Sequence, residues 1–122
     1  MCGIAGFLSI DVPAAGLESI AVRMAQPIQH RGPDDCGAWA DKNAGVALSH
    51  RRLSILDLSP AGHQPMTSAG GRFVMVFNGE IYNHLAIRTE LEASGVVPAW
   101  RGHSDSETLL AAFERWGVHA AL

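Results

Sequence analysis

Short apolar runs alternate irregularly with segments of helical periodicity along this chain, and this arrangement constrains its fold more than any other feature. Strands are predicted for residues 2–9, 45–50 and 72–83, the last one broken at the pair Asn78-Gly79. The first and last runs are apolar enough to predict buried strands. Because strands and helices mix without a regular βαβ order, the pattern predicts an α+β fold.

Three segments predict helices. The first has four apolar residues at helical spacing and ends before Pro27: Leu17, Ile20, Ala21 and Met24. The second is predicted over residues 83–94, with Gly95 as its C-terminal cap. The third begins with a capping-box pattern at residues 104–107 and ends at Gly117. Residues 29–37 and 59–71 are rich in turn-forming residues and predict loops.

The composition is that of an ordered chain of one domain. Its 122 residues are 48% hydrophobic and 17% charged, which excludes a disordered protein. The net charge of −3 argues against nucleic-acid binding, and the apolar runs are too short to span a membrane. The two cysteines and the lack of a signal-peptide pattern at the start predict a cytoplasmic location.

Cys2 directly follows the initiator methionine. Methionine is usually excised before a small residue, and the chain would then begin with a thiol and a free α-amine on one residue. An α-amine has a pKa near 8, so it can serve as the base for its own thiol. On position alone, a cysteine that is simply packed in a strand remains the favoured interpretation.

Five short motifs accompany this cysteine in a fixed order: CGIAGF at 2–7, HRGPDD at 30–35, SHRRLSI at 49–55, NGEIYNH at 78–84 and SDSE at 104–107. Together they resemble the class II glutamine amidotransferase domain, an N-terminal-nucleophile hydrolase. The stretch RRLSILDLSPAGHQPM at 51–66 resembles the branch of glutamine-hydrolysing asparagine synthetases, whose N-terminal half is the most similar part.

The resemblance implies a four-layer αββα sandwich of which this chain supplies only a part. Residues 1–122 would be the N-terminal portion of the glutaminase domain, without its C-terminal part and without the synthetase domain. The implied reaction is hydrolysis of glutamine through a Cys2 thioester, with ammonia passed to a synthetase domain that amidates aspartate. No cofactor is expected in this chain, since ATP and magnesium would bind to the synthetase domain.

The resemblance also assigns roles to single residues. Arg52 matches the arginine that binds the α-carboxylate of glutamine, a task suited to a planar guanidinium. Asp105 matches the acidic partner of the α-ammonium, although an aspartate also favours the first turn of a helix. Asn78 and Gly79 match the oxyanion hole, although Asn-Gly is also a common hairpin turn. Glu80 matches a position at the substrate.

Other residues have simpler interpretations. Adjacent strand residues point to opposite faces, so Arg51 is predicted to be a solvated surface charge while Arg52 enters the site. The charged residues of 30–35 are predicted to pair and order a loop, and Cys36 to be a small core or loop residue. The histidines have no metal-ligand spacing, so no metal is assigned.

Three hypotheses remain open at this stage. The chain is a glutaminase domain, a truncated fragment without activity, or a non-catalytic module of the same fold. Retention of Cys2, Arg52, Asn78 and Asp105 together argues against the third hypothesis. The sequence also leaves homo-oligomerisation and the identity of the acceptor open.

Overall fold

The chain divides into two units, which are described separately. The computed structural model describes residues 1–55, 57–95 and 99–122, so Leu56 of the stretch 51–66 lies outside the described residues. Unit 1 consists of Met1–Ser54, His63–Pro65 and Val76–Asn78. Unit 2 consists of Ile55–Gly62, Met66–Met75 and Gly79–Leu122.

Unit 1 is built on an antiparallel sheet with the strand order β1-β3-β2. Its elements are β1 (Gly3–Leu8), α1 (Leu17–Ala25), β2 (Asp35–Asp41) and β3 (Val46–Arg52). Helix α1 packs on one face of the sheet, and the core there consists of Leu17, Ala21 and Ala47 with Phe7, Val12 and Ala40 around them. The structure therefore confirms the predicted strands at 2–9 and 45–50 and the predicted helix that carries Leu17 and Met24 and ends before Pro27.

Strand β3 presents different residues to the two faces of this sheet. Toward α1, the hydroxyl of Ser49 donates to the carbonyl of Ala21 at 2.8 Å, and Arg51 Nε donates to the carbonyl of Ala25 at 3.2 Å. Because side chains alternate along a strand, His50 and Arg52 lie on the opposite face. Both are buried, with 1% and 8% of their surface exposed.

In its described residues, unit 2 combines three α-helices with a two-stranded ladder. Its elements are β4 (Met66–Thr67), β5 (Val74–Met75), α2 (His84–Ala93), α3 (Asp105–Trp116) and α4 (Val118–Ala121). Leu91 of α2 and Leu110 of α3 are buried, and the rings of Phe73 and Phe113 meet edge to face with centroids 5.9 Å apart. Within the described residues, no helix is both long and apolar enough to cross a membrane.

The predicted helix ends are confirmed. The hydroxyl of Ser104 accepts a hydrogen bond from the main-chain N–H of Glu107 at 3.2 Å, which is the predicted N-terminal cap of α3. Gly95 and Gly117 follow α2 and α3 with φ angles of 83° and 82°, a left-handed region that glycine adopts without a steric penalty. The additional short helix α4 was not predicted.

Several predictions about strands and loops are wrong. Strand β1 is not buried, because Ile4 and Leu8 remain 43% and 72% exposed on the face away from α1. Residues 35–37 are not a loop but the start of β2, where Asp35 pairs with Arg52 in register. Cys36 is accordingly an exposed strand residue rather than a core or loop residue. Residues 66–67 of the predicted loop also form a strand, β4.

The predicted buried strand over 72–83 is reduced to Val74–Met75. Side chains bind the main-chain N–H groups on either side of this short strand. Phe73 donates to the hydroxyl of Ser68 at 3.0 Å, and Phe77 donates to Oε1 of Gln64 at 2.6 Å. These side-chain acceptors take the place of a neighbouring strand, so the ladder stops after two residues.

Candidate active site

Cys2 lies beside the end of β3 in unit 1. Its Sγ accepts a hydrogen bond from the main-chain N–H of Leu53 at 3.4 Å and lies 3.7 Å from the carbonyl oxygen of the same residue. The register of β1 on β3 pairs Gly3 with Arg51, so Cys2 precedes the strand at the end where β3 finishes with Arg52. The structure therefore places the predicted nucleophile in contact with the residue that follows the predicted carboxylate-binding arginine.

Arg51 and Arg52 lie on opposite faces of the sheet, as strand alternation predicts. Arg51 is not a solvated surface charge, however, because it is half-buried and its Nε donates to a carbonyl at the end of α1. A helix C-terminus leaves carbonyl groups without intrahelical donors, and a guanidinium is suited to bind one. Arg51 thus stabilises the contact between α1 and the sheet.

Residues 30–35 order the main chain around Cys2. Arg31 Nε donates to the carbonyl of Cys2 at 3.0 Å. The carboxylate of Asp34 accepts from the main-chain N–H of Ser54 at 2.8 Å, and the N–H of Asp34 donates to the carbonyl of Arg52 at 3.0 Å. A structural role for this motif is confirmed, although Arg31 and Asp34 bind backbone groups rather than each other.

The residue before Asn78 is held by two buried side chains of unit 1. The carbonyl of Phe77 accepts from His50 Nε2 at 3.2 Å, and the N–H of Phe77 donates to Oε1 of Gln64 at 2.6 Å. Asn78 itself is exposed and follows directly. His50 and Gln64 were assigned no role from the sequence, although His50 lies in the motif at 49–55 and Gln64 in the stretch at 51–66.

Asp35 and His63 of unit 1 are joined by a hydrogen bond, with His63 Nδ1 2.7 Å from Oδ2 of Asp35. Burial by itself would raise the pKa of Asp35. The hydrogen bonds from His63 and from the N–H of Cys36, together with the positive charge of Arg52, outweigh burial and lower the pKa of Asp35 below its usual value. Asp35 is therefore a carboxylate at neutral pH.

Asp105 lies at the start of α3 in unit 2 and is only 7% exposed. Its Oδ1 accepts from the N–H of Ser106 at 2.7 Å, which matches the predicted helix-terminal role. Its Oδ2 accepts from the N–H of Ile81 at 2.9 Å, so the carboxylate also fixes the chain just after Glu80. Gly79 and Glu80 are exposed. Asp105 and the segment 79–81 are thereby brought together.

Two buried carboxylates shape the loop before α3 through hydrogen bonds that the sequence analysis did not predict. The carboxylate of Glu107 accepts from the N–H groups of Arg101 and Gly102 at 2.7 and 3.0 Å. A capping box would instead pair it with the N–H of Ser104. Asp57 accepts from the N–H of His103 at 2.8 Å. The partners of Glu107 are five and six residues away, so a local sequence pattern could have suggested its role. The partner of Asp57 lies 46 residues away, beyond the range of such a pattern.

The six predicted site residues fall into two groups. The first group lies at strand β3, which carries Arg52. Leu53, which follows the strand, binds Cys2, and His50 of the strand binds Phe77, the residue before Asn78. Helix α3 carries Asp105 and holds the segment that contains Gly79 and Glu80. Among the described residues, no group of three or more histidine, cysteine, aspartate or glutamate side chains could hold a metal ion.

The position of the Cys2 thiol and the five sequence motifs both agree with the comparison to known protein families. Residues 1–122 match the family model described as a glutamine amidotransferase domain. The chain therefore belongs to this family of glutamine amidotransferase domains. The match covers the whole chain and favours a glutaminase domain over a non-catalytic module.

Individual relatives narrow the class further. Asparagine synthetase [glutamine-hydrolyzing] 1 of Bacillus subtilis is 39% identical over 123 residues, which cover 99% of this chain and 19% of that protein. Asparagine synthetase B of Escherichia coli is 39% identical over 117 residues, which cover 96% of this chain and 20% of that protein. The amidase chry2 of Gibberella zeae is 33% identical over 127 residues, which cover 97% of this chain and 18% of that protein. The chain thus spans about a fifth of the length of these relatives.

Proposed function

We propose that this chain is the glutaminase portion of an amidotransferase similar to asparagine synthetase. It hydrolyses glutamine to glutamate and ammonia, and a separate synthetase domain uses the ammonia for the ATP-dependent amidation of aspartate. ATP and magnesium belong to that domain in this proposal. The observation that carries the proposal is the contact of the Cys2 thiol with Leu53, the residue after buried Arg52, in a chain that matches a glutamine amidotransferase domain throughout.

The proposed reaction begins once Met1 has been removed. The α-amine of Cys2 takes the thiol proton, and the thiolate attacks the amide carbon of glutamine. The side-chain amide of Asn78 and the N–H of Gly79 stabilise the resulting oxyanion. As the C–N bond breaks, the α-ammonium returns its proton to the leaving nitrogen, and ammonia departs from a thioester. Water then hydrolyses the thioester to glutamate and restores the thiol.

Substrate binding in this proposal depends on complementary charges. Arg52 binds the α-carboxylate of glutamine, Asp105 binds the α-ammonium, and Glu80 contributes a further contact. Burial supports the role of Arg52, because a guanidinium attracts a carboxylate more strongly where water does not screen the charges. Asp105 has both oxygens bonded to N–H groups, but a carboxylate has about four acceptor sites and can bind an ammonium as well.

The fold and location belong to the same proposal. The sheet of unit 1, with α1 on one face, represents one helical layer and one sheet layer of the αββα sandwich, and residues 1–122 form its N-terminal portion. A cytoplasmic location suits the chemistry because it keeps both free cysteines reduced. Light scattering of the purified chain tests whether it forms a homo-oligomer.

Labelling with an electrophilic glutamine analogue tests the proposed function. The reagent should add once, at Cys2, because Arg52 and Asp105 direct it there. Cys36 is also exposed to reagents and serves as the internal control. Glutamine should protect Cys2, whereas asparagine, which is one methylene shorter, should protect poorly. Equal labelling of both cysteines that glutamine does not change would contradict the proposal, and a Cys2→Ser variant that still releases ammonia would contradict the nucleophile.

A further inference from the structure

The main chain of Phe77 is bonded to side chains on both sides rather than to a strand. Its carbonyl oxygen lies 3.2 Å from His50 Nε2, and its nitrogen lies 2.6 Å from Oε1 of Gln64. His50 and Gln64 are 1% and 7% exposed, so water competes little for either bond. Strand β5 ends at Met75, so no ladder reaches Phe77. These two side chains therefore fix the peptide units on each side of Phe77.

The direction of the first bond defines the tautomer of His50. A carbonyl oxygen can only accept, so Nε2 must carry the hydrogen. Nδ1 is buried and has no hydrogen-bond partner among the described residues, which agrees with an unprotonated nitrogen. Burial lowers the pKa of His50, and the nearby charge of Arg52 lowers it further, while the bond to Phe77 opposes both. His50 is thus a neutral donor at pH 7.

Gln64 is held in place by the sheet. Its main chain packs against Gly37 of β2, where a Cβ atom would overlap the carbonyl oxygen of Gln64. Gly37 pairs with His50 across the sheet, so the main chain of Gln64 packs on the strand residue that neighbours His50. His50 itself lies on β3, and a group on a regular strand positions a neighbour more accurately than a group on a free loop.

We infer that His50 and Gln64 are positioning residues that hold the peptide units on the two sides of Phe77 so that Asn78 presents its side-chain amide to the oxyanion. The inference rests on the proposed function. Asn78 is exposed and lies in no strand, so its own surroundings do little to fix it. An oxyanion donor must be oriented before the reaction, and a displacement of about 1 Å can cost about a hundredfold in rate.

The inference is tested by glutaminase kinetics of the full chain. His50→Leu removes the donor, and Gln64→Met removes the acceptor with little change in size. Each should lower kcat about 10- to 100-fold while KM for glutamine changes much less, because the oxyanion forms only during the reaction. His50→Gln keeps an N–H donor at a similar distance from the main chain and should recover most of kcat. Unchanged kcat in both His50→Leu and Gln64→Met would overturn the inference.

A double-mutant cycle separates positioning from a general loss of structure. If His50 acts through Asn78, adding His50→Leu to Asn78→Ala should lower kcat little beyond the single Asn78→Ala change. Fully additive losses would overturn the inference. Should His50→Leu fail to unfold cooperatively, Gln64→Met and His50→Gln are measured in the same cycle. A wild-type chain that neither hydrolyses glutamine nor labels at Cys2 would overturn the proposed function and this inference together, whereas an active wild type with insensitive variants overturns only the inference.

Discussion

Cys2 Sγ lies 3.4 Å from the main-chain nitrogen of Leu53, the residue that follows Arg52 on leaving β3. The N–H of Leu53 donates to the sulfur, and the carbonyl oxygen of the same residue lies 3.7 Å from it. Arg31 holds the carbonyl of Cys2 from the other direction. The candidate nucleophile is therefore fixed through both its side chain and its main chain, and only its amino side leads to exposed Met1.

We expect Met1 to be absent from the active protein. Met1 is 77% exposed, so little packing would be lost on its removal. Intact-mass spectrometry should show a chain shorter by one methionine, beginning with the free amine of Cys2. As a control, inserting one bulky residue between Met1 and Cys2 should block removal and abolish glutaminase activity. Full activity in a chain that retains Met1 would exclude the α-amine as the base.

Arg52→Ala should raise KM for glutamine far more than Arg51→Ala, because only Arg52 lies on the face away from α1. Arg51→Ala should instead lower stability, since Arg51 Nε donates to the carbonyl of Ala25. That loss should be about 1 kcal/mol, the usual contribution of one such hydrogen bond. Steady-state kinetics and urea denaturation of the two variants measure both effects. The reverse order of KM values would mean that the substrate binds to the other arginine.

Ser104→Ala and Asp105→Asn should separate helix capping from substrate binding. The Ser104 hydroxyl caps α3 through the N–H of Glu107, so its loss should cost about 1 kcal/mol of unfolding free energy and leave KM unchanged. Asp105→Asn keeps an oxygen that can accept from Ile81 but removes the charge that would bind the α-ammonium. It should raise KM for glutamine. Equal KM values for Asp105→Asn and wild type would assign Asp105 to structure alone.

The free energy of unfolding should fall as the pH drops below about 6.5, the ordinary pKa of histidine. Burial lowers the pKa of His50 in the folded chain, so the unfolded chain binds the proton more readily and is favoured in acid. Arg52, Asp35 and His63 act on His50 through their charges, and the lowered pKa of Asp35 acts only at still lower pH.

Chemical denaturation between pH 5 and pH 7 measures this dependence, with His50→Gln as the control. That variant cannot titrate at this position, so its unfolding free energy should vary less over the same interval. Identical slopes for His50→Gln and wild type would show that His50 does not titrate differently in the folded and unfolded chains.

The local features of this protein were determined by the sequence itself. Helices α1 and α3 follow from the spacing of apolar residues, and the helix ends follow from signals such as Gly95, Ser104 and Gly117. These features act within one or two turns of helix, so a short window contains both partners. Strand alternation similarly predicted that Arg51 and Arg52 face opposite sides. The order of the motifs indicated the family and pointed to Cys2 as the candidate nucleophile.

Only the tertiary structure decided which residues hold the site together. Residues 35–37 look like a turn by themselves, and they form a strand because β3 supplies the hydrogen bonds. The run at 72–83 looks like a strand, and it stops at Met75 because side chains bind the flanking N–H groups. A strand needs a partner that is distant in the sequence, and so does a buried polar group such as His50 or Asp57. Those partners are fixed by long-range packing, which a local pattern of residues does not contain.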